Sequence, residues 1–105
     1  MGKEAFPTTL ATRQLDAAKV DYQCHLFTYE DKGGTRNSSA QLGVDEHIVI
    51  KTLLFEDEDK KPLVVLMHGD CTVSTKELAR QLGKKKIEPC TPEVAERHTG
   101  YQVGG

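Results

Sequence analysis

Ile48-Val49-Ile50-Lys51-Thr52-Leu53-Leu54-Phe55-Glu56-Asp57, IVIKTLLFED, reads as a buried β-strand with a lysine at its centre. Branched and aromatic apolar residues dominate the run and a charged turn follows it. Side chains alternate with period two along a strand. Lys51 therefore shares a face with Val49, Leu53 and Phe55, and Thr52 points to the opposite face, where it packs or bonds within the sheet. Glu56–Lys61 (EDEDKK) supplies a turn, and Pro62–Gly69 (PLVVLMHG) is a second strong strand. Two strands so close in sequence predict an antiparallel hairpin.

Helix signals surround the hairpin. Pro7–Ala18 places Leu10, Ala11, Leu15 and Ala18 on one side at helical spacing, with Thr8 or Thr9 to cap it. Asp21–Glu30 (DYQCHLFTYE) reads as a first strand, with Tyr22, Cys24, Leu26 and Thr28 on one face and Gln23, His25, Phe27 and Tyr29 on the other. Glu30–Asn37 is a loop broken by Gly33-Gly34, and Ser38–Gly43 a short helix that Gly43 ends. Asp45 caps a further turn before the lysine strand. Downstream, Ser74-Thr75-Lys76-Glu77 has capping-box spacing and opens a helix with Leu78, Ala79 and Leu82 inward, closed by Gly83. Lys84–Pro89 is a basic link into a short extended piece. Thr91-Pro92 opens a last helix with Val94 and Ala95 inward. Irregular alternation around a hairpin predicts an α+β fold.

The 105 residues are enough for one small domain. Net charge is −2, so the overall basic bias that grips duplex DNA is missing. No apolar stretch is long enough to span a bilayer, and the N-terminus lacks the apolar run of a secretory signal. Phe6 stands where a myristoylation motif wants Ser or Thr. The three cysteines, Cys24, Cys71 and Cys90, form no C-x-x-C pair and fit no zinc spacing, which points to reduced thiols in a cytoplasmic protein. No metal and no cofactor are expected.

Several side chains invite a chemical reading. Lys51 either runs its stem along the apolar face to reach water at an edge, or presents its ammonium to a pocket. In a pocket a phosphate, carboxylate or ester carbonyl would have to meet it, because an unpaired buried ammonium costs several kcal/mol. His25, Phe27 and Tyr29 in a row either pack structurally or line a pocket for a base or ribose. Cys24 beside His25 is no nucleophile–base pair, since adjacent strand residues point apart. His68-Gly69-Asp70-Cys71 is a turn too compact to supply a metal site alone, and Lys84-Lys85-Lys86 is a solvated run or a patch for a few phosphates. Gly100-Tyr101 with Gly104-Gly105 is a turn after a helix, or a backbone that lets a ligand approach closely.

Taken in order, the His-x-aromatic strand, the Leu42-Gly43-Val44 turn, the Lys51-Thr52-Leu53 strand, Glu77–Glu88 (ELARQLGKKKIE) and Glu96–Gly105 (ERHTGYQVGG) resemble the YbaK/EbsC family, the synthetase-associated aminoacyl-tRNA editing domains. The resemblance runs from about Thr8 to Gly105. It implies a mixed, mainly antiparallel, barrel-like sheet with flanking helices, and hydrolysis of the ester joining a mischarged amino acid to the 3′ adenosine of tRNA. It also implies that Lys51 points into the editing pocket, that Gly104 opens the catalytic glycine loop, and that His25, Phe27, Tyr29, Gly100, Tyr101 and Gly105 border the substrate. The family's His-x-Tyr stands here as His25-Leu26-Phe27, leaving Tyr29 to supply a hydroxyl nearby. The Ile-Ser-Pro that completes the family's loop does not follow Gly105, so residues 1–105 are expected to form a single domain incomplete at its C-terminus.

The implied substrate is the 3′ acceptor end of Cys-tRNA(Pro), with prolyl-tRNA synthetase as a possible partner. In cysteine-specific members the substrate's own thiol attacks its ester carbonyl, and tRNA leaves as a cyclic thiolactone forms. Lys51 anchors the terminal phosphate or the reacting carbonyl, and backbone amides at Gly104 receive the developing charge. Two other functions fit the residues: a catalytically impaired module that holds a tRNA acceptor end or a synthetase, and a nucleotide binder using the same cleft.

Overall fold

The computed structural model describes residues 6–102. Its elements are α1 (Leu10–Ala17), α2 (Gly34–Leu42), a 3-10 turn (Glu46–Ile48), β1 (Ile50–Asp57), β2 (Pro62–His68), α3 (Thr75–Leu82), β3 (Ile87–Pro89) and α4 (Pro92–Thr99). The fold is α+β. Among the described residues the sheet has three strands in the order β2-β1-β3, both pairings antiparallel, and it does not close.

The hairpin forms as its sequence dictates, with Lys51 opposite Met67, Leu53 opposite Val65 and Phe55 opposite Leu63. These residues share one face. Phe55 joins Ala79 of α3 and Ile87 of β3 in a buried cluster, with Leu53, Leu63, Val65, Val73 and Leu78 packed against it. The opposite face carries Ile50, Val64 and Leu66, each more than half exposed. The expectation of a strand buried throughout from Ile48 is therefore corrected. The strand begins at Ile50, Ile48 ends the 3-10 turn at 64% exposure, and the second face is open at Ile50 and Thr52 and buried only at Glu56, at its far end.

A second correction concerns Asp21–Glu30. This segment forms no strand, and all its residues are exposed. Strand-forming side chains stabilise a strand only when a neighbour completes its ladder. Here the backbone finds side chains instead. The Gln41 amide accepts from Thr28 N–H at 2.8 Å and donates to Thr28 C=O at 2.8 Å, and Asn37 Nδ2 donates to the same carbonyl at 3.0 Å. Both partners lie on α2, which starts at Gly34 rather than Ser38 and so absorbs half of the expected loop.

The helix ends follow the sequence. Thr9 caps α1 in a reciprocal box with Thr12, Ser74 accepts from Glu77 N–H at the start of α3, and Thr91 accepts from Val94 N–H at the start of α4. Gly43 and Gly83 close α2 and α3.

Asp57 ties the hairpin turn to the link after α3. Its side chain is buried, yet its carboxylate is well supplied with donors. It accepts from Asp59 N–H at 2.8 Å and Lys61 N–H at 2.9 Å, and pairs with Lys84 Nζ at 3.2 Å. The Lys61 N–H bond is the main cause of an Asp57 pKa held below its ordinary 3.8, with the Lys84 bond adding to it. The contribution of this carboxylate to stability is thus fully present above pH 3.8 and is lost as pH falls through the lower folded value. Asp57→Asn is expected to lower the thermal midpoint at neutral pH and to flatten the acid limb of a midpoint-versus-pH curve. An unchanged acid limb would remove Asp57 from this role. The same ion pair assigns Lys84 a structural part, and Lys86 pairs with Glu88 at 3.4 Å, so two charges of the Lys84–Lys86 run already have partners.

Candidate functional site

Strand parity sets Lys51 on the covered face, at the end of β1 away from the buried cluster. The side chain is half-buried, and Nζ donates to Gly69 C=O at 3.1 Å. Among the described residues that is its one hydrogen bond. An ammonium carries three donors, so two remain for an anionic or carbonyl ligand.

The wall around Lys51 comes from three places in the chain. Thr35 of α2 sets its hydroxyl 3.0 Å from Gly69 C=O and 2.9 Å from Glu46 Oε2. Gly69 N–H donates to Val49 C=O at 2.7 Å, which holds the turn after β2 against the 3-10 turn before β1. Gly69 has to be glycine: a Cβ there would lie 2.6 Å from Thr35 Oγ1 and 2.7 Å from Glu46 O. From the 3-10 turn His47 reaches back, its Nδ1 2.8 Å from Asp70 Oδ1. Its ring stacks on that of His68 with centroids 3.9 Å apart, and His68 Nδ1 lies 2.6 Å from His47 C=O. The Cys71 thiol donates to Asp70 Oδ1 at 3.4 Å. The His47 contact is the main cause holding Asp70 below the ordinary carboxylate range, and the bond to Asp70 is the main cause holding the Cys71 thiol above its ordinary value.

The other described residues of the expected site lie away from the Gly69 turn. His25, Phe27 and Tyr29 are exposed on the segment anchored to α2 through Thr28. Gly100 ends α4 with φ +76°, a left-handed cap that glycine adopts without strain. Tyr101 accepts from Ala11 N–H at 2.8 Å and so fastens the end of α4 to the start of α1. It borders a cleft of about 710 Å³ with Thr52, Leu54, Cys90, Ala95 and Thr99. Thr52 thus faces this cleft rather than packing within the sheet, and Lys51 is not among the cleft's lining residues. Gly104 and Gly105 lie outside the described residues. Sequence reasoning missed Thr35 and His47 as neighbours of the lysine. Nothing local marks them, because each is joined to the Gly69–Cys71 turn only by the fold.

Residues 31–105 match the aminoacyl-tRNA editing domain family. The chain belongs to that family. It is 30% identical over 98% of its length to the Enterococcus faecalis protein named "Putative Cys-tRNA(Pro)/Cys-tRNA(Cys) deacylase EbsC", of which it spans 63%. A 66-residue stretch is 41% identical to a proline–tRNA ligase of Nitratidesulfovibrio vulgaris (strain DP4), covering 63% of this editing-domain chain and 11% of the ligase. In three dimensions the chain is similar to the crystal structure of hypothetical protein APE2540, with a TM-score of 0.77 at 22% identity, over 90% of this chain and 62% of that one. This last likeness shows a shared fold. Among the described residues no helix is long and apolar enough to cross a membrane.

Proposed function

We propose that this editing domain is an aminoacyl-tRNA deacylase acting in trans on mischarged tRNA, with Cys-tRNA(Pro) as its substrate. The observation that carries the reading is family membership over residues 31–105, together with a sheet lysine whose ammonium retains two donors beside a fixed turn. Similarity to EbsC over 98% of the chain supports cysteine as the amino acid removed.

An aminoacyl ester needs little activation, so positioning and polarisation suffice for its cleavage. Lys51 binds the terminal phosphate or the ester carbonyl, and amides at Gly104 stabilise the oxyanion. The substrate's thiol attacks its own ester carbonyl, the bond to the 3′ oxygen breaks, and the thiol proton passes to the departing tRNA. His25, Phe27 and Tyr29, exposed and anchored through Thr28, meet the terminal adenosine by stacking. Gly100, Tyr101 and Gly105 border the amino acid. The stretch shared with a proline–tRNA ligase supports a tRNA(Pro) acceptor end as partner, with prolyl-tRNA synthetase as a second partner.

The test is deacylation measured over a panel of charged tRNAs. Cysteine released from Cys-tRNA(Pro) faster than proline from Pro-tRNA(Pro) is the expected result. Saturable binding of both tRNAs with no release of either amino acid would replace the deacylase by a holding module.

A further inference from the structure

The turns that enclose Lys51 also bring together three atoms that neither the deacylation chemistry nor the sequence spacing uses. His47, Asp70 and Cys71 offer one nitrogen, one oxygen and one sulfur, all within 4.8 Å of one another. We propose that they form a binding site for a single divalent ion of the zinc class, with a fourth position open to solvent.

The donor set is the first support. Imidazole, carboxylate and thiolate are the ligands that zinc takes in proteins, whereas calcium and magnesium want oxygen alone. Geometry is the second. Tetrahedral bonds of about 2.0–2.3 Å place ligand atoms roughly 3.3–3.8 Å apart. The present separations are 2.8 Å from His47 Nδ1 to Asp70 Oδ1 and 3.4 Å from Cys71 Sγ to the same oxygen, so small side-chain rotations admit an ion.

The third support is that the frame is fixed without the ion. Gly69 N–H is bound to Val49 C=O and Cys71 N–H to His68 C=O at 3.0 Å, which locks the turn carrying two ligands. The stacked ring of His68, whose Nδ1 lies 2.6 Å from His47 C=O, restricts the His47 ring. On binding, the Cys71 thiol releases its proton to water and the His47 proton sits on Nε2, leaving Nδ1 to coordinate. The Lys51 ammonium, tied to Gly69 C=O, is a like charge near the ion and weakens its binding without blocking the open position.

The test uses the 105-residue chain carrying Cys24→Ser and Cys90→Ser, titrated with cobalt(II) and then zinc. One equivalent is expected to produce a thiolate-to-cobalt charge-transfer band with the visible bands of a tetrahedral centre, bleached by zinc. Cys71→Ser should abolish the charge-transfer band, and loss of a direct ligand in Asp70→Asn should weaken cobalt binding by at least the about 10–100-fold that losing an outer partner costs, with far-ultraviolet circular dichroism unchanged. No charge-transfer band in the parent chain, or a band that survives in folded Cys71→Ser, would overturn the site.

Discussion

Replacing Lys51 by alanine is expected to slow Cys-tRNA(Pro) deacylation by about 10²–10³-fold, the usual cost of deleting one charge-stabilising donor from a pre-arranged site. The fold should survive. The stem of Lys51 lies at the end of β1 remote from Phe55, Ala79 and Ile87, and its loss leaves Gly69 C=O with the Thr35 hydroxyl still 3.0 Å away. A thermal midpoint close to that of the parent would separate loss of chemistry from loss of structure. Lys51→Arg is no rescue in this setting, because a planar guanidinium cannot place a compact charge where the ammonium sits. Parent-like deacylation by Lys51→Ala would remove the lysine from the mechanism.

Phe55→Ala is expected to cost about 3–5 kcal/mol of stability, read as a lowered midpoint in urea. The described core is small. Among the described residues only Phe55, Ala79 and Ile87 are buried apolar residues, and the ring at position 55 is the largest side chain of the three. A domain of this length has roughly 5–15 kcal/mol in all, and the substitution removes much of it. Leu66→Ala supplies the contrast. Leu66 lies on the uncovered face at 65% exposure, and its loss should stay within about 0.5 kcal/mol. Equal effects at the two positions would mean that both faces of the sheet are covered alike.

The parts of the fold that local chemistry determines were readable from the residues. Period-two alternation put Lys51, Leu53 and Phe55 on one face, and the register with Met67, Val65 and Leu63 agrees. Thr9, Ser74 and Thr91 cap the helices where their side chains predict. What depended on a partner was not readable. Asp21–Glu30 has the composition of a strand, but Gln41 and Asn37 take the backbone of Thr28 where a ladder was expected. Val64 and Leu66 look like core in an apolar run, yet exposure follows from what covers a face and not from the run itself. The candidate site divides in the same way. Lys51 stood out as a charge among apolar neighbours. His47 is 23 residues from Asp70, and the compact His68–Cys71 turn gave no sign that an imidazole would close on it.

The reading of Lys51 as the wall of an acyl-adenosine site is tested most directly by a crystal structure with a nonhydrolysable 3′-cysteinylamido-adenosine. The expected result is the amide carbonyl or the neighbouring phosphate within hydrogen-bonding distance of Lys51 Nζ, beside Gly69. An analogue bound with its carbonyl and phosphate out of hydrogen-bonding reach of Lys51 Nζ would contradict it.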